Sequence, residues 1–189
     1  MDNRRLVRLL ALTLLVPAAA PDAVAAQTHP AAADVASPEA IVSATYESIA
    51  RAPGERYDWV RFESLFLPGA SLIPSIEQTN GSLRVLSVRD FIDWIDAGTT
   101  VGGAGDHGFS EDGIHNVTER YGDIAHVFST YEKHLYGQTE NLGRGINTFQ
   151  MIFNDGRWWI TSIAWDEEIG AGPIPAKYLP GGGDEDVRR

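Results

Sequence analysis

Apolar side chains recur at helical spacing in the stretch from Ser37 to Gly54. Ile41, Val42, Thr45 and Ile49 share one face, Ser37 stands where an N-cap belongs, Pro38 takes the first helical position, and Pro53-Gly54 stops the run. "DWVRFESLF" repeats the logic. Asp58 is its cap, Trp59, Phe62, Leu65 and Phe66 form the apolar face, and Pro68-Gly69 marks its end. "SLIPSI" and "LRVLSV" are short apolar runs on either side of an Asn80-Gly81 turn, which predicts two strands. Ser87 then caps "VRDFIDWIDAG", where Asp90 completes a capping-box pattern, Val88, Phe91, Ile92 and Ile95 make the buried stripe, and Gly98 terminates.

The period changes from helical to alternating in the last third. Two hairpins are predicted, one turning at Gly122-Asp123 and one at Asp155-Gly156. Two-residue loops fix the registers. The first pairs Tyr121 with Ile124, Glu119 with His126, Val117 with Phe128 and His115 with Thr130, and the opposite face carries Arg120 with Ala125, Thr118 with Val127, Asn116 with Ser129 and Ile114 with Tyr131. The second places Phe149, Met151, Phe153, Trp158, Ile160, Ser162 and Ala164 on one side, with Asn147 and Asp166 toward its open end. Apolar residues occupy both faces, so helices are expected to cover one and a partner subunit or a ligand the other.

The first residues change the picture of where this domain works. Arg4, Arg5 and Arg8 precede an apolar run from Leu9 to Val16 and then small residues, the layout of a secretory signal peptide over 1–26 with cleavage before Ala26 or Gln27. The run is too short for the roughly 20 residues of a spanning helix. A flexible lead-in is expected over 27–37, one domain over 38–180 and a disordered tail over 181–189. An exported, periplasmic or extracellular bacterial protein follows, without membrane attachment once the leader is removed. There is no cysteine, so disulfides and thiolate metal sites are excluded and the apolar core must hold the fold alone. Net charge is −11, about −12 without the leader, which disfavours nucleic acid and anionic membranes as partners.

Gly103, Gly105 and Gly108 spell G-x-G-x-x-G, the spacing of a dinucleotide-binding turn. That motif needs a strand before it and a helix after it, whereas here a helix leads in and a strand leads out. Asp106 would also place negative charge where pyrophosphate should sit. The segment reads as a connection at the rim of a pocket, with Asp106, His107 and Phe109 as gate candidates.

Helix, short helix, strand pair, helix and four-strand sheet, with the strings "WVRFESLFLPGASLIP", "YGDIAHVFSTYE", "GINTFQMIFNDGRWWITSIAW" and "PIPAKYL", resemble a bacterial exported branch of the nuclear transport factor 2-like superfamily. Its relatives include ketosteroid isomerase, scytalone dehydratase and the SnoaL-like cyclases. The resemblance implies an α+β fold, with N-terminal helices packed on a strongly curved, mainly antiparallel sheet that forms a cone with a pocket. It also implies that Trp158 packs inward, which brings Asn147, Phe149, Ser162 and Ala164 toward the pocket. It assigns no activity.

Within that frame the expected ligand-binding residues are Asn116, Ser129, Tyr131, Asn147, Phe149, Ser162 and Asp166. Tyr131 is a candidate donor, although a strand Tyr is more simply core. Glu119 and His126 form a cross-strand acid/base candidate, which an exposed ion pair worth under about 1 kcal/mol also explains. His126, Glu132 and His134 alternate onto one face, with His107 and His115 nearby, but the separations along the strand from His126 to Glu132 and His134 span roughly 20 Å or more at about 3.3 Å per residue, too far to share an ion. No metal or cofactor is expected. The leading expectation is a small, largely apolar ligand in the cone of a homodimer formed through Thr148, Gln150, Trp159 and Trp165. A cofactor-independent isomerase, dehydratase or cyclase, and an interaction module with a filled cone, are the alternatives.

Overall fold

A computed structural model describes residues 30–98 and 107–182. The proposed signal peptide and the connection carrying Gly103, Gly105 and Asp106 lie outside the described residues, as do 183–189 of the tail.

Helix α1 spans Pro38–Ser48, α2 Trp59–Ser64 and α3 Val88–Asp96. Each starts as its sequence requires. The Ser37 hydroxyl accepts from Ala40 N–H at 3.1 Å, the Asp58 carboxylate from Arg61 N–H at 3.0 Å, and Ser87 and Asp90 close a reciprocal capping box. The strands are β1 (Phe66–Ile73), β2 (Leu86–Ser87), β3 (Ser110–Tyr121), β4 (Ile124–His134), β5 (Gly143–Asn154) and β6 (Arg157–Glu167). They form one sheet in the order β2-β1-β6-β5-β4-β3, antiparallel except where β1 runs parallel to β6. This is the α+β class expected. The first strand differs in detail: β1 starts at Phe66, just after α2, and carries Pro68-Gly69 inside it at an irregularity in its pairing with β6.

The inner face of the sheet packs against α1 and α3. Ile41, Val42, Phe91, Ile92 and Ile95 from the helices meet Val127, Phe149, Met151, Trp158 and Ile160 from the strands, all in one buried cluster. Trp158 turns inward as expected. The lead-in is not flexible throughout. Ala32–Val35 form a 3-10 turn, Val35 joins the core, and Asp34 takes two bonds from the Arg61 guanidinium at 2.8 and 2.9 Å. That anchoring offsets the entropy an alanine-rich segment otherwise keeps.

On the outer face, part of the cover comes from the chain itself. A 3-10 turn at Ala176–Tyr178 lies against β4: Thr130 Oγ1 donates to the Tyr178 carbonyl at 2.5 Å, and the Tyr178 ring stacks on Phe128 at 4.9 Å between centroids.

Two irregularities decide what faces inward at the open end of the sheet. The first hairpin keeps its expected register from Tyr121↔Ile124 as far as His115↔Thr130, then shifts so that Gly113, not Ile114, opposes Tyr131. The second pairs Met151 with Ile160 and then Gln150 with Ser162, leaving Thr161 as an extra residue. A bulge adds one residue to one strand, and with side chains alternating every residue it exchanges the two faces beyond it.

Candidate functional site

The bulges determine the chemistry of the site. Beyond the first, Glu111 faces inward beside Lys133 and Asp112 is turned out and exposed. Beyond the second, Ile163, Trp165 and Glu167 replace Ser162, Ala164 and Asp166 on the inner face. These residues border a cavity with an open mouth between the helices and the sheet. Its apolar wall comes from Ile49, Leu72, Ile95 and Ile163 together with the rings of Tyr57, Trp59, Phe62, Phe91, Phe109 and Phe149. Such a container suits a small ligand, with a few polar groups fixing its orientation.

Those polar groups converge at one end. Asn147 Nδ2 donates to Glu111 Oε1 at 2.8 Å and approaches the Tyr46 hydroxyl at 3.2 Å, while Tyr46 donates to Ser129 Oγ at 2.7 Å. Beside them Lys133 Nζ is 2.6 Å from Glu167 Oε2, and Glu167 Oε1 accepts from Gln78 at 2.5 Å and from Tyr131 at 3.4 Å. Trp165 Nε1 in turn donates to Gln78 Oε1 at 2.8 Å, tying the turn that follows β1 to the cavity wall.

Glu167 is therefore paired and triply bonded. Glu111 is not. Its Oε2 accepts no hydrogen bond among the described residues, although the residue is only 8% exposed. Burial is the main cause that pushes its carboxyl up to about 7; nearby Glu167 and Asp112 add to the rise, and Asn147 and Lys133 oppose it. Burial also raises the Tyr46 and Tyr131 phenols, with the Glu111 charge as the second cause in each, so both stay protonated.

Of the residues expected from sequence, Tyr131, Asn147 and Phe149 line the cavity. Ser129 lies one layer behind, buried under Tyr46. Asn116 is exposed on β3 and is not part of the lining. Ser162 is turned to the outer face, and Asp166 is exposed with its Oδ1 accepting from Glu167 N–H at 2.8 Å; the Thr161 bulge displaces both. Glu119 and His126 are cross-strand partners as expected, but they sit far along the hairpin, outside the lining, with His126 against Phe128 at 4.8 Å. Phe109 is a buried wall residue rather than a gate, held by reciprocal backbone bonds to Arg51 at 2.8 and 2.9 Å. His107 is exposed and outside the lining, and Asp106 lies outside the described residues. On the expected dimer face, Thr148, Gln150 and Trp159 stay on the outer side, whereas Trp165 lines the cavity.

Glu111, Lys133, Glu167, Tyr46 and Gln78 were not expected from sequence. The signal that could have found the first is Gly113: a glycine inside a strand marks a bulge or a close approach. Here it marks both, since a Cβ on Gly113 would lie 2.8 Å from the Tyr46 ring.

No family model matches the sequence, and neither does any curated protein. Solved structures do match. One is a protein of unknown function with a cystatin-like fold from Nostoc punctiforme, at 11% identity over 67% of this chain and 85% of that one, with a TM-score of 0.50. Two others are nuclear transport factor 2-like proteins of unknown function: one from Shewanella baltica, at 14% identity over 67% and 87% with a TM-score of 0.47, and one from Silicibacter pomeroyi, at 20% over 68% and 91% with a TM-score of 0.44. The Nostoc likeness shows the fold alone, helices packed on an open, mainly antiparallel sheet of the cystatin-like kind. Fold alone does not assign an activity. The function must be argued from Glu111 and the walls around it.

Proposed function

We propose that the cone binds a small, largely apolar molecule whose polar end meets Glu111, Asn147 and Tyr131. The observation that carries this reading is the Glu111 carboxyl, buried against an aromatic cavity with one oxygen left for a partner. Keeping a carboxyl this deep costs free energy that an apolar side chain would not, and its second oxygen is not sealed off, since no buried side-chain oxygen among the described residues lacks a partner. Native mass spectrometry of the protein purified from its own host tests the reading. A co-purifying small molecule, displaced on unfolding, is the expected result; bare protein in every preparation counts against it.

A second reading, cofactor-independent acid/base chemistry, is favoured by the Glu111 carboxyl sitting at about 7. A general base works best with a pKa near the operating pH, and the protonated Tyr131 hydroxyl is on hand to stabilise a developing oxyanion. The check is deuterium exchange into small enolisable ketones in D2O, with the parent protein against Glu111→Gln. Exchange above buffer that the variant loses is the expected result. No exchange in the parent removes this reading and leaves the binding one standing.

A further inference from the structure

The polar end of the cone holds more negative than positive charge. Among the described residues Lys133 is the one cationic side chain in the buried cluster, and its ammonium is already engaged by Glu167 at 2.6 Å. The groups facing Glu111 from the surrounding elements are Tyr46 on α1, Asp112 on its own strand, Tyr131 and Lys133 on β4, Asn147 on β5 and Glu167 on β6. None supplies a second cation. The Tyr46 proton goes to Ser129, Tyr131 leans toward Glu167, and Asn147 contributes only an amide dipole. Arg51 lies over the Tyr57 ring at 5.1 Å.

The walls have the complementary property. Half of the side chains lining the cavity are aromatic, and Tyr57, Trp59, Phe91, Phe149 and Trp165 line the same cavity as Glu111. Ring faces carry partial negative charge and attract cations, most strongly where water is excluded. A neutral alcohol can satisfy the free oxygen of Glu111 but leaves its charge buried. A cation satisfies both.

We propose that the occupant is a monocationic organic amine with an apolar body, its ammonium at the Glu111 carboxylate and its hydrocarbon against the aromatic wall. This rests on the binding reading above and narrows it to one ligand class. Burial holds the Glu111 proton to about 7, so in the empty cone a proton takes the place that the ammonium fills. Amine binding therefore strengthens as pH rises through that value.

The experiment titrates the full chain with benzylammonium and, separately, with benzyl alcohol, of closely similar shape but uncharged, using the fluorescence of Trp59 and Trp165. At about pH 8 the ammonium should bind at least roughly tenfold tighter, a preference that shrinks at about pH 5.5. Glu111→Gln should abolish the preference, and a near-ultraviolet circular dichroism spectrum matching the parent's shows that the variant cone is intact. Alcohol binding equal to or tighter than amine binding overturns the charge assignment and spares the binding reading. A preference that persists in Glu111→Gln, or that ignores pH, also overturns it. Failure of both probes to bind overturns the two readings together.

Discussion

Glu111 makes the folded state sensitive to protons in a way that fixes a sign. Its ordinary value is 4.5 and burial raises it to about 7 in the native protein, so between those values the folded state holds more protons than the unfolded one. Stability contributed through this group must fall as pH rises from about 5 to about 8, by roughly 3 kcal/mol at most. Glu111→Gln keeps an acceptor for Asn147 and cannot ionise. Urea denaturation of the two proteins at both pH values should show the variant gaining on the parent as pH increases; parallel curves would place the ionisation elsewhere. Tyr131, Asn147 and Phe149 were legible because two-residue hairpin loops fix which residues share a face, and the family resemblance, through an inward Trp158, chose the face for Asn147 and Phe149. Glu111 was not, because a charged residue between Ser110 and Asp112 reads as solvated surface.

What hid Glu111 is a property of the strands. Alternation propagates from a turn without error until one extra residue enters, and nothing in "WWITSIAW" announces that Thr161 is that residue. The expected register therefore held from Arg157 to Ile160 and inverted afterwards, exchanging Ser162 for Ile163 and Asp166 for Glu167. The helices were more transparent, since their caps are local hydrogen bonds written into adjacent residues. A pair of substitutions tests the bulge directly. Ile163→Ala should cost about 2–4 kcal/mol, as expected of a buried aliphatic at 4% exposure, and Ser162→Ala should stay within about 0.5 kcal/mol. An unbroken alternation forecasts the reverse order, and equilibrium denaturation distinguishes them.

At the scale of the whole molecule, the order of elements was readable and their closure was not. Adjacent strands of a meander announce themselves through their turns, whereas the union of β1 with β6 joins Phe66 to Ile160 with no local signal. That pairing has a kinetic consequence. The meander from β3 to β6 can form through near-neighbour contacts, but β1 and the helices flanking it reach β6 only by closing a long loop, whose entropy must be lost first. The cavity has walls from both parts, so it exists only after that late step. A ligand of the cone, benzylammonium included, should accordingly leave the rate of refolding nearly unchanged and slow unfolding in proportion to its occupancy. Stopped-flow chevrons with and without ligand would show one limb shifted and the other in place; a displaced refolding limb would mean that the cone is already shaped at the barrier. Its occupant would then act as a brake on loss of the structure and have no part in guiding its assembly.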